Sequence, residues 1–253
     1  QKIRKLIETK YKVVGKFMEE TSWQYWRFHL NIEDEKLPFT IKIAENKAVI
    51  INGAEEIEIS RISTKGDSVI MNLPVFNSEI RFTYSDKNTL KGWWYNFAKG
   101  DYKIPISGQK GKLPRFDTQQ AGTSPDFSGK WEIMFSPGTE DKYPAIGVFD
   151  QAGDKITGTF LTETGDYRFL EGNVTGNSML LSCFDGAHAF LFKAEMNDKG
   201  GLNGKFFSGK HWQEPWTAKR NENASLALPE TLTYLLDSTA AFEFSFPNLD
   251  SNM

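Results

Sequence analysis

Gly66-Asp-Ser-Val-Ile-Met71, Leu90-Lys-Gly-Trp-Trp94 and Asp101-Tyr-Lys-Ile-Pro-Ile106 return later in the chain. They reappear as Gly176-Asn-Ser-Met-Leu-Leu181, Leu202-Asn-Gly-Lys-Phe-Phe207 and His211-Trp-Gln-Glu-Pro-Trp216. Gly66 aligns with Gly176, Gly92 with Gly204 and Pro105 with Pro215. The offset stays at about 110 residues, and self-similarity at a fixed period sets the architecture before any local reading. A chain of 253 residues then holds two homologous units, each large enough to bury its own core.

Within each copy the period is that of strands. Phe39-Thr-Ile-Lys-Ile43 alternates strictly, and Ala48-Val-Ile-Ile51 runs into the turn pair Asn52-Gly53. Ile57–Ile59, Ser68–Leu73, Ile80–Tyr84 and Leu90–Tyr95 follow, and the aromatic run Trp23–Leu30 precedes them. In the second copy the strands are expected at Gly129–Phe135, Ala145–Asp150, Lys155–Leu161, Tyr167–Glu171, Ser178–Phe184, Ala189–Met196, Leu202–Phe207 and Trp212–Lys219. Gly129-Lys-Trp131 is matched to Gly15-Lys-Phe17 as the opening of each unit. Strand starts every ten residues or so indicate an antiparallel barrel or a sandwich.

The fold class is therefore all-β, two tandem antiparallel barrels or sandwiches. Gly108, Gly111, Pro114, Gly122 and Pro125 interrupt the pattern between the copies. The boundaries fall at 1–112 for the first domain, 113–126 for a linker and 127–222 for the second. Residues 223–253 form a tail. Residues 1–12 are a short helix or a frayed lead-in. Pro229–Leu236 is a short helix with proline near its first turn, and Phe242–Asp250 alternates like a strand with no counterpart in copy one.

Composition narrows the function. The hydrophobic share is 39% and the charged share 25%, which is that of a folded globular chain. Aromatic residues reach 14%, a level that suits pleated sheets. The net charge is −3 with signs well mixed, so no basic stripe speaks for a nucleic-acid partner. No apolar run approaches the ~20 residues of a membrane-spanning helix. The numbering opens on Gln1 rather than Met, which fits a chain whose export signal has been removed.

The candidate chemistry is sparse. Cys183 is the only cysteine, with neither Lys nor Arg adjacent in sequence, and it reads as a buried, inert strand residue. Asp185-Gly-Ala-His188 is a turn signal. His188 is a structural histidine of that turn, a base oriented by Asp185, or a residue at the barrel rim that contacts a ligand. Gly209–Lys219 is the densest polar-aromatic cluster. Its His211, Trp212 and Trp216, with Tyr167 and Arg168, are the candidate walls of a small-molecule pocket. The competing reading has one tryptophan plugging the barrel and packing against Trp131. His29, His188 and His211 hold no metal-ligand spacing to one another, and Gly200-Gly201 is a hairpin turn, not a nucleotide fingerprint. No metal, cofactor or catalytic residue is expected within this segment.

Longer stretches carry a resemblance. Ile156–Gly172, Leu181–Phe192 and Ser208–Arg220, with Leu37-Pro-Phe39 and Leu90–Pro105 in copy one, resemble the N-terminal region of TlpA-like thioredoxin-fold proteins. These belong to the peroxiredoxin or disulfide-reductase family of the bacterial envelope. Phe244-Ser-Phe-Pro-Asn-Leu-Asp250 looks like the first strand of such a thioredoxin domain. The resemblance implies a non-catalytic accessory module ahead of a thioredoxin-like domain of the same polypeptide. Its family cysteines would lie beyond Met253, and Cys183 has no resolving partner here. It also implies the periplasm or outer envelope of a Gram-negative bacterium, a lipid anchor, and envelope proteins as substrates. Separately, Gly129-Lys-Trp131 with Ile156-Thr-Gly-Thr-Phe160 resembles the opening strands of avidin-like and lipocalin-like barrels. The alternative function is a small-molecule-binding barrel with an aromatic pocket in the second domain.

Overall fold

The computed structural model describes residues 22–59, 61–73, 76–117 and 124–227, with Thr239, Ala241, Glu243 and Ser245 of the tail. The expected lead-in helix, the Gly15-Lys-Phe17 opening, the helix at Pro229–Leu236 and most of the strand at Phe242–Asp250 lie outside the described residues.

The first sheet comprises β1 (Gln24–Ile32), β2 (Glu35–Ile43), β3 (Ala48–Asn52), β4 (Glu55–Ile59), β5 (Arg61–Lys65), β6 (Ser68–Leu73), β7 (Ser78–Tyr84), β8 (Thr89–Asn96) and β9 (Tyr102–Lys110). Its order is β4-β3-β2-β1-β9-β8-β7-β6-β5. β4 and β5 stand at the two edges, yet one residue separates them in sequence. A single residue reaches only about 7 Å, so the two edges must meet and the sheet curls into a barrel.

The second sheet comprises β10 (Gly129–Phe135), β11 (Tyr143–Ala152), β12 (Lys155–Thr162), β13 (Gly165–Asp166), β14 (Leu170–Thr175), β15 (Ser178–Phe184), β16 (Ala189–Met196), β17 (Leu202–Ser208) and β18 (Trp212–Arg220). Here β12 pairs with both β11 and β14, which closes the ring by hydrogen bonds. β13 is a two-residue strand added to β12.

The repeat survives in the register. Gly92 stands opposite Ile106 and Trp93 opposite Pro105, just as Gly204 stands opposite Trp216 and Lys205 opposite Pro215. The two-residue turns Gly66-Asp67 and Gly176-Asn177 join equivalent strands, and both glycines have positive φ (58° and 53°). This is the conformation that tight hairpins demand. The register corrects one expectation. Trp26 faces Lys110 as Trp131 faces Arg220, so Gln24-Tyr-Trp26, not Gly15-Lys-Phe17, is the counterpart of Gly129-Lys-Trp131. The aromatic density of Trp23–Phe28 hid the alternation: Trp26, Phe28, Leu30 and Ile32 point inward and are buried.

The barrels are joined by an extensive seam. Phe184, at the tip of β15, points out of the second barrel and into the core of the first. It lies 4.3 Å from Phe39 and 5.1 Å from Trp94 between ring centroids. Ala189, Leu191 and Phe207 join the same core from the outer face of β16 and β17. Asn52 locks the tip by donating to Phe184 O (2.9 Å) and accepting from Phe184 N (3.2 Å). The connector also packs in. Arg115 is buried, and all five of its N–H groups are used, on Ser182 Oγ, Ser182 O, Ile51 O, Asn52 Oδ1 and Glu171 Oε2 at 2.9–3.2 Å.

Candidate functional site

In an up-and-down barrel every second connection lies at the same end. In the second barrel that end gathers residues 136–142, 163–169, 185–188 and 209–211. Most of the residues singled out in the sequence therefore meet there: Tyr167, Arg168, Asp185, His188, His211 and Trp212. One correction accompanies this. Tyr167–Phe169 is not part of a strand, because Arg168 takes φ 62° and its N–H bonds Asp166 Oδ1 at 2.7 Å. An Asx turn of this kind ends pairing and swings the Arg168 side chain toward the first barrel.

Two buried carboxylates organise this end. Asp185 is fully buried. Its Oδ1 accepts from Ala187 N (2.8 Å) and His188 N (2.7 Å). Its Oδ2 meets His188 Nδ1 at 2.9 Å and Arg168 Nε at 3.1 Å. Burial works to raise its pKa, but the hydrogen bonds from His188 and Ala187 outweigh that and hold it below the ordinary carboxylate value. An ionised carboxylate only accepts, so His188 donates to it through Nδ1–H. Half of the His188 side chain is exposed (52%), and its ring stacks on Phe190. Arg168 also pairs with Glu55 of the first barrel. Burial opposes the Arg168 charge, but Asp185 and Glu55 together raise its pKa.

Glu214 is the second carboxylate, and it is 5% exposed. Ser136 Oγ (2.6 Å), Tyr143 OH (2.8 Å) and Trp212 Nε1 (3.1 Å) donate to it. Tyr143 has one proton and spends it on Glu214, so the 3.1 Å contact to Tyr167 OH must run from Tyr167 to Tyr143. Burial first, with the hydrogen bond given to Glu214 and the charge of that carboxylate, pushes the Tyr143 phenol pKa far up. The same network fixes the Trp212 indole, which is 58% exposed, and Phe169 is 53% exposed at the same end.

Below this rim the barrel interior is filled with buried aromatic rings. Phe192 stacks on Phe160 at 4.1 Å and on Phe206 at 4.3 Å. Trp216 belongs to this interior and not to the rim. It is 1% exposed, crosses Phe160 edge-on at 5.3 Å, and lies over Gly204, where a Cβ would collide with the indole. Of the aromatic residues singled out as pocket walls, Tyr167 and Trp216 pack against Phe135 and Phe160, and Trp212 stays exposed at the rim. His211 turns toward the seam, 5.6 Å from Tyr102 of the first barrel. Asp185 and His188 offer two metal ligands, and among the described residues no group of three His, Cys, Asp or Glu is placed to hold an ion. Cys183 is fully buried, and burial with Asp185 alongside pushes its thiol pKa up to about 12.

Sequence reasoning missed Tyr143, Ser136, Phe169 and Glu214. Glu214 stood inside the quoted polar-aromatic run, and a carboxylate between exposed positions was its only signal. Tyr143 and Ser136 flank a loop whose length hides their approach to β18.

No family model and no curated protein matches the sequence. Among solved structures, a candidate outer membrane protein from Bacteroides fragilis is 14% identical over 80% of this chain and 97% of its own, with a TM-score of 0.24. HpuA from Kingella denitrificans, solved in complex with human haemoglobin, is 13% identical over 86% and 90%, with a TM-score of 0.28. A DUF3598-family protein of unknown function from Nostoc punctiforme is 10% identical over 80% and 96%, with a TM-score of 0.25. All three likenesses are distant, and none says what this chain binds.

Proposed function

We propose that this chain is a non-catalytic binding module, the accessory N-terminal part of an exported thioredoxin-like disulfide reductase of a Gram-negative envelope. It recruits the protein substrate through the loop end of the second barrel. One observation carries this reading. The Trp212 ring is exposed yet held in place by a buried carboxylate, above an interior where aromatic rings stack on one another. An exposed ring that is already ordered loses little entropy on binding, which is the property of an interface anchor. The buried Cys183 thiol supports a non-catalytic role, since the thiolate is the reactive form. The tail Phe244–Asp250 supports the thioredoxin-like continuation by sequence alone.

The test uses the full parent polypeptide. Sequencing past Met253 is expected to find a WCxxC-bearing domain, and its absence removes the redox half of the proposal. In that full chain, Trp212→Ala with Phe169→Ala is expected to slow reduction of a protein disulfide while leaving a small disulfide such as oxidised glutathione reduced at the wild-type rate. Equal rates on both substrates would remove the rim as the recognition face.

A further inference from the structure

Two arginines are buried along the seam, and they are used very differently. Arg115 spends all five N–H groups on protein acceptors, one of them the Glu171 carboxylate. Arg27 is 6% exposed and makes two hydrogen bonds among the described residues, to Thr40 Oγ1 (2.6 Å) and Leu113 O (2.7 Å). Both acceptors are neutral. Among the described residues the buried Arg27 Nε has no partner, and three of the five donors of the guanidinium are left over. A charge out of water is costly unless paired, so an Arg without a carboxylate is an incomplete site.

Arg27 lines an open cleft of about 610 Å³ between the barrels. Lys112 and Lys155 stand on its walls with Arg115, against Asp154 and Glu171, and Glu171 already serves Arg115. The rest of the lining includes Tyr25, Ile51, Leu113 and Pro114, which is apolar surface for an organic body. The volume is that of a small-molecule site. The guanidinium pKa is lowered to about 10, by burial first and by Arg115 second, with Glu171 opposing weakly. That is the behaviour of a cation still lacking its counter-ion.

We propose that the inter-barrel cleft binds a small organic anion, whose carboxylate or phosphate is received by Arg27 with Lys112 and Lys155 at the lips. The planar fork of an arginine suits both groups, and the flanking lysines add attraction that salt screens. This site is independent of the second-barrel rim.

The experiment is calorimetric titration of the chain with inorganic phosphate, phenyl phosphate and benzoate, at low and high salt. Saturable binding of phenyl phosphate or benzoate, tighter than inorganic phosphate and weakened by salt, is expected. The stronger of the two identifies the head group. Arg27→Gln should weaken it by about tenfold or more, as loss of a charge-assisted pair does. Lys155→Glu, an exposed change that leaves the packing intact, should weaken it in the same direction. Should Arg27→Gln fail to fold, Lys112→Ala with Lys155→Ala carries the test alone. No saturable binding by any of the three anions, or wild-type affinity in the lysine variants, overturns the proposal.

Discussion

Arg115→Ala should cost this protein more than any other single change in the connector. The substitution takes the Arg115 donors from Ile51 O and Ser182 O in a buried seam, while Asn52 Oδ1 keeps its hydrogen bond from Phe184 N. A buried acceptor that loses its donor costs about 1–3 kcal/mol, which puts two of them at roughly 2–6 kcal/mol. Two effects pull the figure down. Glu171 is partly exposed (28%) and regains water, and the adjoining cleft lets solvent reach part of the new gap. The unfolded chain of the variant also no longer gives up a hydrated guanidinium on folding. About 2–4 kcal/mol remains, near the lower end of what losing one partner of a buried pair costs. Against a total of about 5–15 kcal/mol this is a large fraction. Urea unfolding followed by tryptophan fluorescence reads it, since Trp26 and Trp94 report on one barrel and Trp131 and Trp216 on the other. The wild type should unfold in one transition because Phe184 and Arg115 make the two cores interdependent. Arg115→Ala should lower the midpoint and separate two transitions. A loss below about 1 kcal/mol, the worth of a surface pair, would refute the burial argument. A single unshifted transition would refute the coupling.

Phe184→Ala removes a ring from the core of a barrel to which it does not belong in sequence; a loss of about 3–5 kcal/mol is expected in the same urea assay. His29 is held neutral down to about pH 4, by burial first and then by Arg27, Lys36 and Arg115. The unfolded chain takes up that proton near pH 6.5, so stability should fall as pH drops from 6.5 toward 4. His29→Gln should flatten the stability profile in that window, and an unchanged profile would show that His29 does not titrate differently on folding. The Asp185 contribution has the opposite origin but the same direction, and it is lost only further into acid, below the ordinary carboxylate value. Cys183 should resist a thiol reagent such as DTNB in the native state and react at once in denaturant; rapid native reaction would contradict its burial.

The all-β class and the internal repeat were legible because turn glycines and alternation are local signals. Gly66 and Gly176 sit at positive φ in equivalent hairpins, and this conformation is written in residue identity. The rim was partly legible for the same reason: Asp185-Gly-Ala-His188 is a self-contained turn whose hydrogen bonds close within four residues. What stayed hidden is long-range. β5 was missed because Arg61–Lys65 carries one half-buried apolar residue and otherwise exposed polar ones. Arg115 looked like one cation in a Pro-Gly-rich tether, and nothing in its neighbourhood announces acceptors from residues 51 and 182. Alternation leaves Trp216 between pocket wall and barrel plug, because it gives the face of a strand but not its depth in a closed barrel. Gly204, opposite it across the ladder, was the available hint, since a glycine facing a tryptophan makes room for the ring.

The duplication explains why only one of the two equivalent loop ends is free. Both copies place the same four connections at the same end, so two equivalent rims were available. The first rim is spent on assembly. Phe184 enters its core, Ser78 Oγ donates to Gly186 O at 2.5 Å, and Asn96 donates to Ala187 O at 3.4 Å. The residues that do this belong to the 184–188 turn of the second copy, whose own Asp185 and His188 face the remaining rim. One turn therefore serves two surfaces: its backbone and Phe184 close the first barrel, while its carboxylate orders the second. Changes at Phe184 should accordingly reach the rim, and changes at Trp212 should not reach the seam. Trp212→Ala is expected to leave the urea midpoint within about 0.5 kcal/mol of wild type, as exposed substitutions do. Phe184→Ala should alter both stability and whatever the rim binds. If the two variants shifted stability equally, the rim and the seam would be one cooperative unit, and the division of labour between the copies would be wrong.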